Sequence, residues 1–504
     1  MNIETLEREH GADVVNHLSQ ALHMPGVSLE QMEADAAAFD LVPYAEATRR
    51  GCIALRNAEG AVSVVLGDPF DLDTQDWLEE RLAVPFRYRL ASRQDLADYL
   101  ARQESTMRAL EGVAAEMQSG AHAKDKAQDL SFETISETDS PVVRLVASTL
   151  YDAIKAGASD VHMESTASGL TIKYRVDGVL TPAETVPGIE IAEQVISRIK
   201  VMSELDIAER RVPQDGRFKA RREGREIDFR VSVMPSALGE DAVLRILDRR
   251  ALSDQLQGLT LDALGFEQDI KERMRKLSAE PYGMLLVTGP TGSGKTTSLY
   301  ATITEVNKGL DKIITIEDPV EYQLPGVLQI PVNEQKGLTF ARGLRSILRH
   351  DPDRIMVGEI RDPETAEIAV QSALTGHLVY TTVHANNAFD VLGRFMHMGV
   401  DPYNLVSALN AVLAQRLVRV FCTACKGKGC AQCRGTGFKG RKAIGELLVL
   451  NDELRDLIIA RAPARKLKEV ARATGTTPLR EAAQRLVNNG ETSLEEINRV
   501  TFVA

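Results

Sequence analysis

The sequence predicts an α/β protein of more than one domain, and three observations support this fold class. The chain has 504 residues, whereas a single core rarely grows past about 250–300 residues. In the C-terminal half, short apolar segments alternate with helical patterns, which is typical of a largely parallel sheet covered by helices. A glycine-rich segment, residues 289–296, directly follows one of these apolar segments.

Predicted strands and helices place these patterns along the chain. The C-terminal strands are Met284–Thr288, Ile313–Ile316, Ile355–Val357 and Leu378–Thr382. In the middle region, about residues 140–250, the alternation of apolar and polar residues over Leu170–Tyr174 and Ile227–Val233 predicts further strands. This region opens with Ser140 and Pro141, which are typical cap and first-turn residues of a helix.

The N-terminal region, about residues 1–103, mixes short strands with helices. Cys52–Leu55 and Val62–Leu66 are predicted strands joined by a turn, and Asp73–Leu82 is a predicted helix. Cys52 stands alone, and we expect it to pack as a small apolar residue. From Gln118 to Asp139 the chain is polar with few apolar residues, so this stretch is the best linker candidate.

Composition narrows the class of protein and its partners. Apolar residues make up 44% of the chain and charged residues 26%, the balance of a soluble globular protein. The formal net charge of −12 argues against nucleic acid as a partner. No apolar run approaches the roughly 20 residues of a membrane span, and Met1–His10 does not resemble a secretory signal. We therefore expect a cytosolic protein that partners bring to a membrane.

The glycine-rich segment fits the phosphate-binding pattern G-x-x-x-x-G-K-[ST] in its required context. An apolar strand precedes it and a helix-forming run follows it, so a chance glycine-rich turn is disfavoured. Backbone N–H groups and the helix N-terminus are expected to wrap the phosphates of a nucleoside triphosphate. Lys295 would reach the β- and γ-phosphates, and the Thr296 hydroxyl would ligate Mg²⁺. The predicted nucleotide-binding residues are Gly289, Pro290, Thr291, Gly292, Ser293, Gly294, Lys295, Thr296 and Thr297.

Acidic residues and a histidine follow three of the predicted strands. Glu317, Asp318 and Glu321 follow one strand, Glu359 follows another, and His384 follows a third. Because parallel strands present their C-terminal ends to a common crevice, carboxylates there can hold Mg²⁺ or orient water. Acids at strand ends also cap helices, which is the alternative for each segment taken alone.

Four cysteines lie within twelve residues and predict a zinc site. Cys422, Cys425, Cys430 and Cys433 have the spacing C-x₂-C-x₄-C-x₂-C, which suits tetrahedral Zn²⁺. Four reduced thiols in a flexible loop are the alternative. The same region, residues 416–442, carries eight Lys or Arg residues and no acid. It could face anionic lipid or an acidic partner, or it could be a solvated basic loop.

Taken in order, these segments resemble the type II secretion and type IV pilus ATPases. The resemblance rests on four boxes, Gly289–Thr296, Thr315–Glu321, Val357–Asp362 and Thr375–His384. In that family they are the Walker A, Asp, Walker B and His boxes. Upstream, three further segments look like the family's middle domain: Gly157–Glu164, Arg175–Gly178 and Arg211–Arg217. The resemblance covers about residue 140 to the C-terminus and is weaker over 40–103.

The resemblance implies roles for individual residues. Glu359 would hold Mg²⁺, through water, and Glu321 would polarise the attacking water. His384 would sense the γ-phosphate, with His377 supporting it. For Glu317 and Asp318 the family implies no definite role.

The resemblance also implies that Arg217 and Arg230 of the middle domain act as arginine fingers, for which plain surface charge is the alternative. An arginine finger can contribute about 10³–10⁵ in rate. Lys295 and Thr296 keep in the family the roles that the motif predicts. The cysteine pairs depart from the family, because only Lys426–Gly429 separates them where a longer stretch is usual.

The family further implies a ring of six subunits and a division into domains. The expected domains are an N-terminal partner-docking module (1–103), a linker (104–139), a smaller α+β middle domain (140–250) and a RecA-like ATPase domain (251–504) that includes the cysteine loop. The N-terminal module would attach the protein to an inner-membrane secretion platform. The predicted function is ATP hydrolysis that drives type II secretion, with a type IV pilus extension ATPase as the alternative. Retraction ATPases, DNA-transfer ATPases and non-catalytic scaffolds fit less well.

Overall fold

The computed structural model describes residues 14–57, 59–82, 84–106, 140–222, 225–248 and 259–502. The predicted linker lies outside the described residues except for its first three, where a helix ends. The chain divides into two units, Met1–Val176 with Leu180–Leu247, and Asp177–Val179 with Asp248–Ala504. The first unit contains two sheets with separate hydrophobic cores, and the second contains one sheet.

A four-stranded sheet forms the N-terminal part of the first unit, in the order β1-β2-β3-β4. The predicted hairpin is confirmed, because β2 and β3 pair antiparallel and Cys52 is fully buried as expected. The strands are β1 (Ala36–Ala37), β2 (Cys52–Arg56), β3 (Val62–Leu66) and β4 (Phe86–Leu90). The helices are α1 (Val14–Leu22), α2 (Leu29–Glu33), α3 (Tyr44–Arg50), α4 (Leu72–Arg81) and α5 (Arg93–Thr106).

The middle sheet has six strands in the order β7-β6-β5-β10-β9-β8. Alternate residues of β9, from Ile227 to Val233, are buried in the core that α6 and α7 share with the sheet, so the intervening residues lie on the opposite face. The strands are β5 (Asp160–Thr166), β6 (Gly169–Val176), β7 (Val179–Pro187), β8 (Gln214–Arg222), β9 (Arg225–Ser236) and β10 (Gly239–Leu247). The helices are α6 (Pro141–Lys155), which begins as predicted after Ser140, and α7 (Ile189–Met202).

The sheet of the second unit has seven strands in the order β13-β12-β14-β15-β11-β16-β17. Every recorded pairing is parallel except that of β16 with β17, which confirms the predicted largely parallel sheet. Its strands are β11 (Gly283–Thr288), β12 (Ile313–Glu317), β13 (Leu328–Pro331), β14 (Arg354–Val357), β15 (Leu378–Val383), β16 (Leu409–Phe421) and β17 (Phe438–Val449). Its first helices are α8 (Gln268–Ser278), α9 (Lys295–Val306), α10 (Phe340–Ile347), α11 (Pro363–Leu374), α12 (Ala388–His397) and α13 (Pro402–Ala408).

A long antiparallel hairpin, β16 and β17, closes one edge of this sheet, and the sequence analysis assigned no strand there. β16 is buried over most of its length and lies parallel to the central strand β11. Its apolar run has no alternation, so periodicity does not distinguish it from a buried helix. The cysteine loop connects the two strands. Four helices follow: α14 (Asp452–Ile459), α15 (Ala464–Ala473), α16 (Leu479–Asn488) and α17 (Leu494–Val500).

None of the helices in the described ranges combines the length and the apolar character that a transmembrane span requires.

Candidate active site

The phosphate-binding loop lies between the buried strand β11 and helix α9, as the motif predicts. Gly289 and Gly294 have φ angles of +153° and +83°. A Cβ atom on Gly289 would lie 2.6 Å from both the Gln415 carbonyl oxygen and Ser293 Oγ, so only glycine fits here. Lys295 Nζ donates to the carbonyl oxygens of Gly289 at 3.0 Å and Pro290 at 3.1 Å, which turns the lysine back over the loop.

Glu359 and His384 come together at the C-terminal edge of the sheet, beside Lys295. His384 Nε2 lies 3.5 Å from Glu359 Oε2. Arg361 pairs with the other oxygen of Glu359 and lies 3.8 Å from Asp318 Oδ2. The loop that carries Glu359 is fixed to β15, because Thr382 Oγ1 donates to the Gly358 carbonyl oxygen at 2.7 Å.

The electrostatics of Lys295 and His384 reflect this proximity. Burial lowers the pKa of Lys295; Glu359 opposes the shift and Arg416 adds to it. Burial and the Lys295 charge lower the pKa of His384, although Glu359 again opposes them. Because the pKa falls below its usual value of about 6.5, the imidazole is neutral at pH 7. It can then donate from one ring nitrogen while the other accepts.

Two buried polar atoms at this edge have no hydrogen-bond partner among the described residues. They are Ser293 Oγ, in the phosphate-binding loop, and Glu359 Oε2. Buried polar groups are nearly always paired, so an orphaned pair here points to a missing polar ligand. The residues present therefore fit a phosphate group and a hydrated Mg²⁺ ion.

Glu321 lies on the segment that joins β12 to β13, and its side chain is exposed. Within the described residues the Glu321 carboxylate makes no hydrogen bond or ion pair with Lys295, Glu359 or His384. Glu317, four residues earlier, is instead 2% exposed and is surrounded by hydrogen-bond donors. The two glutamates of this box therefore occupy different environments.

His377 does not support His384 within this chain, contrary to the expectation. His377 immediately precedes β15 and His384 immediately follows it, so they lie at opposite edges of the sheet. At about 3.3 Å per residue the separation is roughly 23 Å. His377 Nδ1 lies 3.0 Å from the Ser372 carbonyl oxygen, which ties it to the end of α11.

Gln415 and Arg416, on β16, bind the phosphate-binding loop and the segment next to His384, a role that no sequence pattern indicated. The Gln415 amide donates to the Ser293 carbonyl oxygen at 2.8 Å and accepts from Ser298 Oγ at 2.7 Å. The Arg416 guanidinium donates to the Asn386 carbonyl oxygen at 2.7 Å, next to the segment that carries His384. The available signal was a Gln-Arg pair inside a long apolar run.

Arg217 and Arg230 lie in the other unit, directly opposite each other on β8 and β9. The next residue in this row is Arg245 on β10, followed by Asp160 on β5. Arg245 Nε lies 3.0 Å from Asp160 Oδ1, so this arginine is neutralised. Arg217 and Arg230 are exposed and form no ion pair within the described ranges. These four residues contribute to the lining of a groove of about 620 Å³.

The four cysteines converge, as the spacing predicts. Their sulfur atoms all lie within 4.8 Å of one another, with Cys422–Cys430 at 3.9 Å, Cys430–Cys433 at 3.7 Å and Cys425–Cys433 at 3.6 Å. Four ligands about 2.3 Å from a tetrahedral zinc ion are roughly 3.8 Å apart. The cluster is therefore compatible with zinc despite the short spacer.

Glycine makes the short spacer possible. Gly429 has a φ of +88°, and a Cβ atom there would lie 2.7 Å from the Gly435 carbonyl oxygen. The Cys433 sulfur accepts from the Cys430 N–H at 3.1 Å and from the Gly437 N–H at 3.3 Å. Such backbone donors stabilise a thiolate.

The basic stretch 416–442 is not a single charged surface. Arg416 is buried, Arg419 pairs at 2.8 Å with Glu496, and Lys442 pairs at 2.7 Å with Glu491. These three charges are buried or paired within the unit, so they do not contribute to an exposed basic surface.

Comparison with known proteins now identifies the family. Residues 136–499 match the family model described as type II/IV secretion system protein, and residues 22–110 match a MshEN domain. The chain belongs to the type II/IV secretion system protein family. It is thus an ATP hydrolase of the secretion ATPase family, which confirms the predicted enzyme class.

Individual relatives are consistent with this membership. A type II secretion system protein E of Pseudomonas aeruginosa is 46% identical over 390 residues, 72% of this chain and 76% of its own. The type IV pilus assembly ATPase PilB of Myxococcus xanthus is 36% identical over 516 residues, 96% of this chain and 90% of its own. The solved ATPase DotB of Legionella pneumophila has a TM-score of 0.54 at 22% identity, covering 70% and 94% of the two chains, and it supports the fold alone.

Proposed function

We propose that this chain is a cytoplasmic motor whose ATP hydrolysis at residues 289–296 drives pseudopilus assembly in type II secretion. The observation that carries the proposal is the convergence of Lys295, Glu359 and His384 at one edge of a parallel sheet. The higher identity to a type II secretion protein than to a pilus assembly ATPase, 46% against 36%, favours the secretion system. Pilus extension remains the second candidate, because the pilus relative spans 96% of the chain.

Each residue at this edge has a proposed chemical role. Lys295 leaves its loop carbonyls to pair with the β- and γ-phosphates, and Thr296 supplies the hydroxyl ligand of Mg²⁺. The unpartnered oxygen of Glu359 would accept a hydrogen bond from a water on a bound Mg²⁺ ion. Such an ion would supply positive charge next to the phosphates. Neutral His384 donates its single ring N–H to the γ-phosphate rather than to Glu359, and so distinguishes ATP from ADP.

Glu321 is the proposed residue that orients the attacking water. Its carboxylate is exposed and unpaired within the described part of the unit, which leaves it free to accept a hydrogen bond from water. Glu317 is too buried for this role. Asp318 is a less suitable candidate, because Arg361 lies near its carboxylate.

Arg217 and Arg230 are proposed as arginine fingers that act on the γ-phosphate. Their support is local: they are exposed cross-strand neighbours without a carboxylate partner, on a groove large enough for a phosphate group. The proposed assembly is a ring of six subunits, as the family implies; if the arginines act on a neighbour's site, the contact between subunits is heterologous, and such contacts close into rings.

The four cysteines are proposed to hold one structural Zn²⁺. The N-terminal module, residues 1–103, is proposed to bind an inner-membrane platform protein and so to bring the motor to the membrane. No nucleic acid is part of the proposed function, in line with the net charge of −12.

The deciding experiment is a cross-linked purification of the full-length chain from its own cells, with Lys295→Ala as the matched control. We expect both forms to capture a secretion-platform protein through residues 1–103, and only the active form to restore secretion to a deletion strain. Capture of a pilus platform protein, with restored piliation, would support the second candidate. Restored secretion by Lys295→Ala would refute a motor role.

A further inference from the structure

A buried polar cluster lies at the end of β12, next to the segment that carries Glu321, and includes none of the residues proposed above to bind nucleotide. Its centre is Glu317, the last residue of β12, which is 2% exposed. Three neutral donors serve its carboxylate: Tyr300 on α9, Thr315 Oγ1 at 2.5 Å, and Gln329 Nε2 on β13 at 3.0 Å. No lysine or arginine forms an ion pair with Glu317 in the described ranges, so the carboxylate is stabilised by hydrogen bonds.

The segment that carries Glu321 has little regular structure of its own. It joins β12 to β13 and contains no helix or strand. Its backbone therefore lacks the repeated hydrogen bonds that fix a side chain on a regular element. Contacts with neighbouring side chains must define where Glu321 lies.

Those contacts come from the Glu317 cluster. Gln329 Nε2 lies 3.1 Å from the carbonyl oxygen of Tyr322, the residue after Glu321, and Gln329 Oε1 accepts from the Leu324 N–H at 2.6 Å. One amide side chain thus holds two backbone groups in the three residues after Glu321, the Tyr322 carbonyl and the Leu324 N–H. Because Gln329 pairs with Thr315 in the parallel register of β12 and β13, its position is fixed by the sheet.

Tyr300 connects the same segment to the phosphate-binding helix. Its ring packs edge-on against Tyr322, with centroids 4.5 Å apart and an interplanar angle of 86°. Burial raises the pKa of both tyrosines, and the backbone N–H of Glu321 opposes this shift at Tyr300 as the Thr297 side chain does at Tyr322. Tyr300 lies on α9 only five residues after Lys295, so the cluster links Glu321 to the helix that begins with Lys295.

We propose that Tyr300, Glu317 and Gln329 are positioning residues that fix the Glu321 segment relative to the phosphate-binding helix. This inference rests on the proposed role of Glu321. Glu317 is buried and three protein donors serve its oxygens, so we expect it to hold the segment in place rather than to bind Mg²⁺. A displacement of a reacting group by about 1 Å costs on the order of 10²-fold in rate, so loosening this network is expected to affect turnover strongly.

The test uses Gln329→Leu and Tyr300→Phe in the full-length chain, with Tyr380→Phe as the matched control. Tyr380 is equally buried in the same unit, but its hydroxyl contacts Arg354, away from the network. We expect each network variant to lower kcat by about 10–100-fold while KM for ATP changes less than about threefold. Tyr380→Phe should keep the wild-type kcat. Wild-type kcat in both network variants would overturn the proposal, and Tyr300→Phe alone carries the test if Gln329→Leu does not fold.

A double-mutant cycle separates positioning from a general loss of structure. In a Glu321→Gln background, Gln329→Leu should change the residual rate by less than about twofold, because the group that it positions is already lost. An undiminished loss in that background would mean that the network acts without Glu321. If Glu321→Gln itself turns over ATP at the wild-type rate, the proposed catalytic role fails, and the inference fails with it. Slow Glu321→Gln with fully active network variants would refute the inference alone.

Magnesium titration tests Glu317 directly. Glu317→Gln should lower kcat but leave the Mg²⁺ concentration for half-maximal turnover within about twofold, as a positioning residue requires. A rise of tenfold or more in that concentration would make Glu317 a metal ligand and would contradict the network model.

Discussion

The edge of the seven-stranded sheet that carries Lys295 and Glu359 (the nucleotide edge) and the face of the middle sheet that carries Arg217 and Arg230 (the arginine face) differ in how their charged side chains are paired. At the nucleotide edge, Lys295 donates to loop carbonyls and Arg361 pairs with Glu359. On the arginine face, Arg217 and Arg230 are exposed and unpaired within the described residues. The first site is organised by its own domain, whereas the second requires an anion from elsewhere. A preorganised site acts without reorganisation during the reaction, so the two regions should respond differently to substitution.

Lys295→Ala tests the preorganised region and should have the largest effect. The substitution removes the cation that pairs with the transferred phosphate, so ATP turnover should fall to background in a steady-state phosphate-release assay. Thr297→Ala, in the first turn of α9, is a milder comparison that leaves the cation in place. Wild-type turnover by a clean Lys295→Ala preparation would contradict the assignment of the site.

Glu321→Gln should have the next largest effect, because it keeps the shape of the side chain but weakens its hold on water. We expect nucleotide affinity close to wild type and a loss in single-turnover hydrolysis of about 10²-fold or more. Equilibrium binding of a fluorescent ATP analogue measures the first quantity, and rapid quench measures the second. Lost nucleotide binding would show instead that Glu321 is structural.

Arg217→Ala and Arg230→Ala test the second region and should each lower turnover by at least about tenfold, the low side of an arginine-finger effect. ATP affinity should change less, because the phosphate-binding loop is intact. Arg245→Ala is the matched control on the same face: Asp160 already neutralises Arg245, so turnover should change by less than about threefold.

A mixing experiment then asks whether these arginines act across a subunit boundary. An arginine variant combined with excess Lys295→Ala should turn over ATP faster than either parent if neighbours share sites. Wild-type rates in both single arginine variants would mean that the arginines are surface charge.

Removal of the cysteine cluster should have the smallest effect on turnover. Purified protein without added metal should contain one zinc per chain by elemental analysis, and Cys430→Ser should lose it while binding ATP normally. Limited proteolysis should then cut within residues 416–442. A zinc ratio near zero with four titratable thiols would disprove the site.

Features set by residues that are neighbours in the sequence were predicted well. Contacts between side chains far apart in the sequence were not. The position of Lys295 follows from a motif of eight residues, because strand, loop and helix are contiguous. The support that Gln415 gives to Ser293 spans 122 residues and carries no motif, so no local pattern announces it. The same limit hid the pairing of Arg245 with Asp160.

The error over His377 has a different cause. His377 and His384 are close in sequence, and the family box contains both, but an extended strand separates them. Residues a few positions apart in the sequence lie far from each other when the residues between them form an extended strand. The alternatives for the basic stretch are narrowed by contacts that no local pattern shows, because Arg419 and Lys442 pair with Glu496 and Glu491 of the C-terminal part.

The clamp that Gln415 forms beneath the phosphate-binding loop has a consequence for the dynamics of that loop. Glycine-rich surface loops usually open at little cost in free energy, and their amide protons exchange rapidly with solvent. Here buried side-chain bonds join Ser293 and Ser298 to β16, in the core of the sheet. Opening the loop therefore requires breaking buried bonds to a core strand, so it should cost more free energy than the opening of an unattached glycine-rich loop.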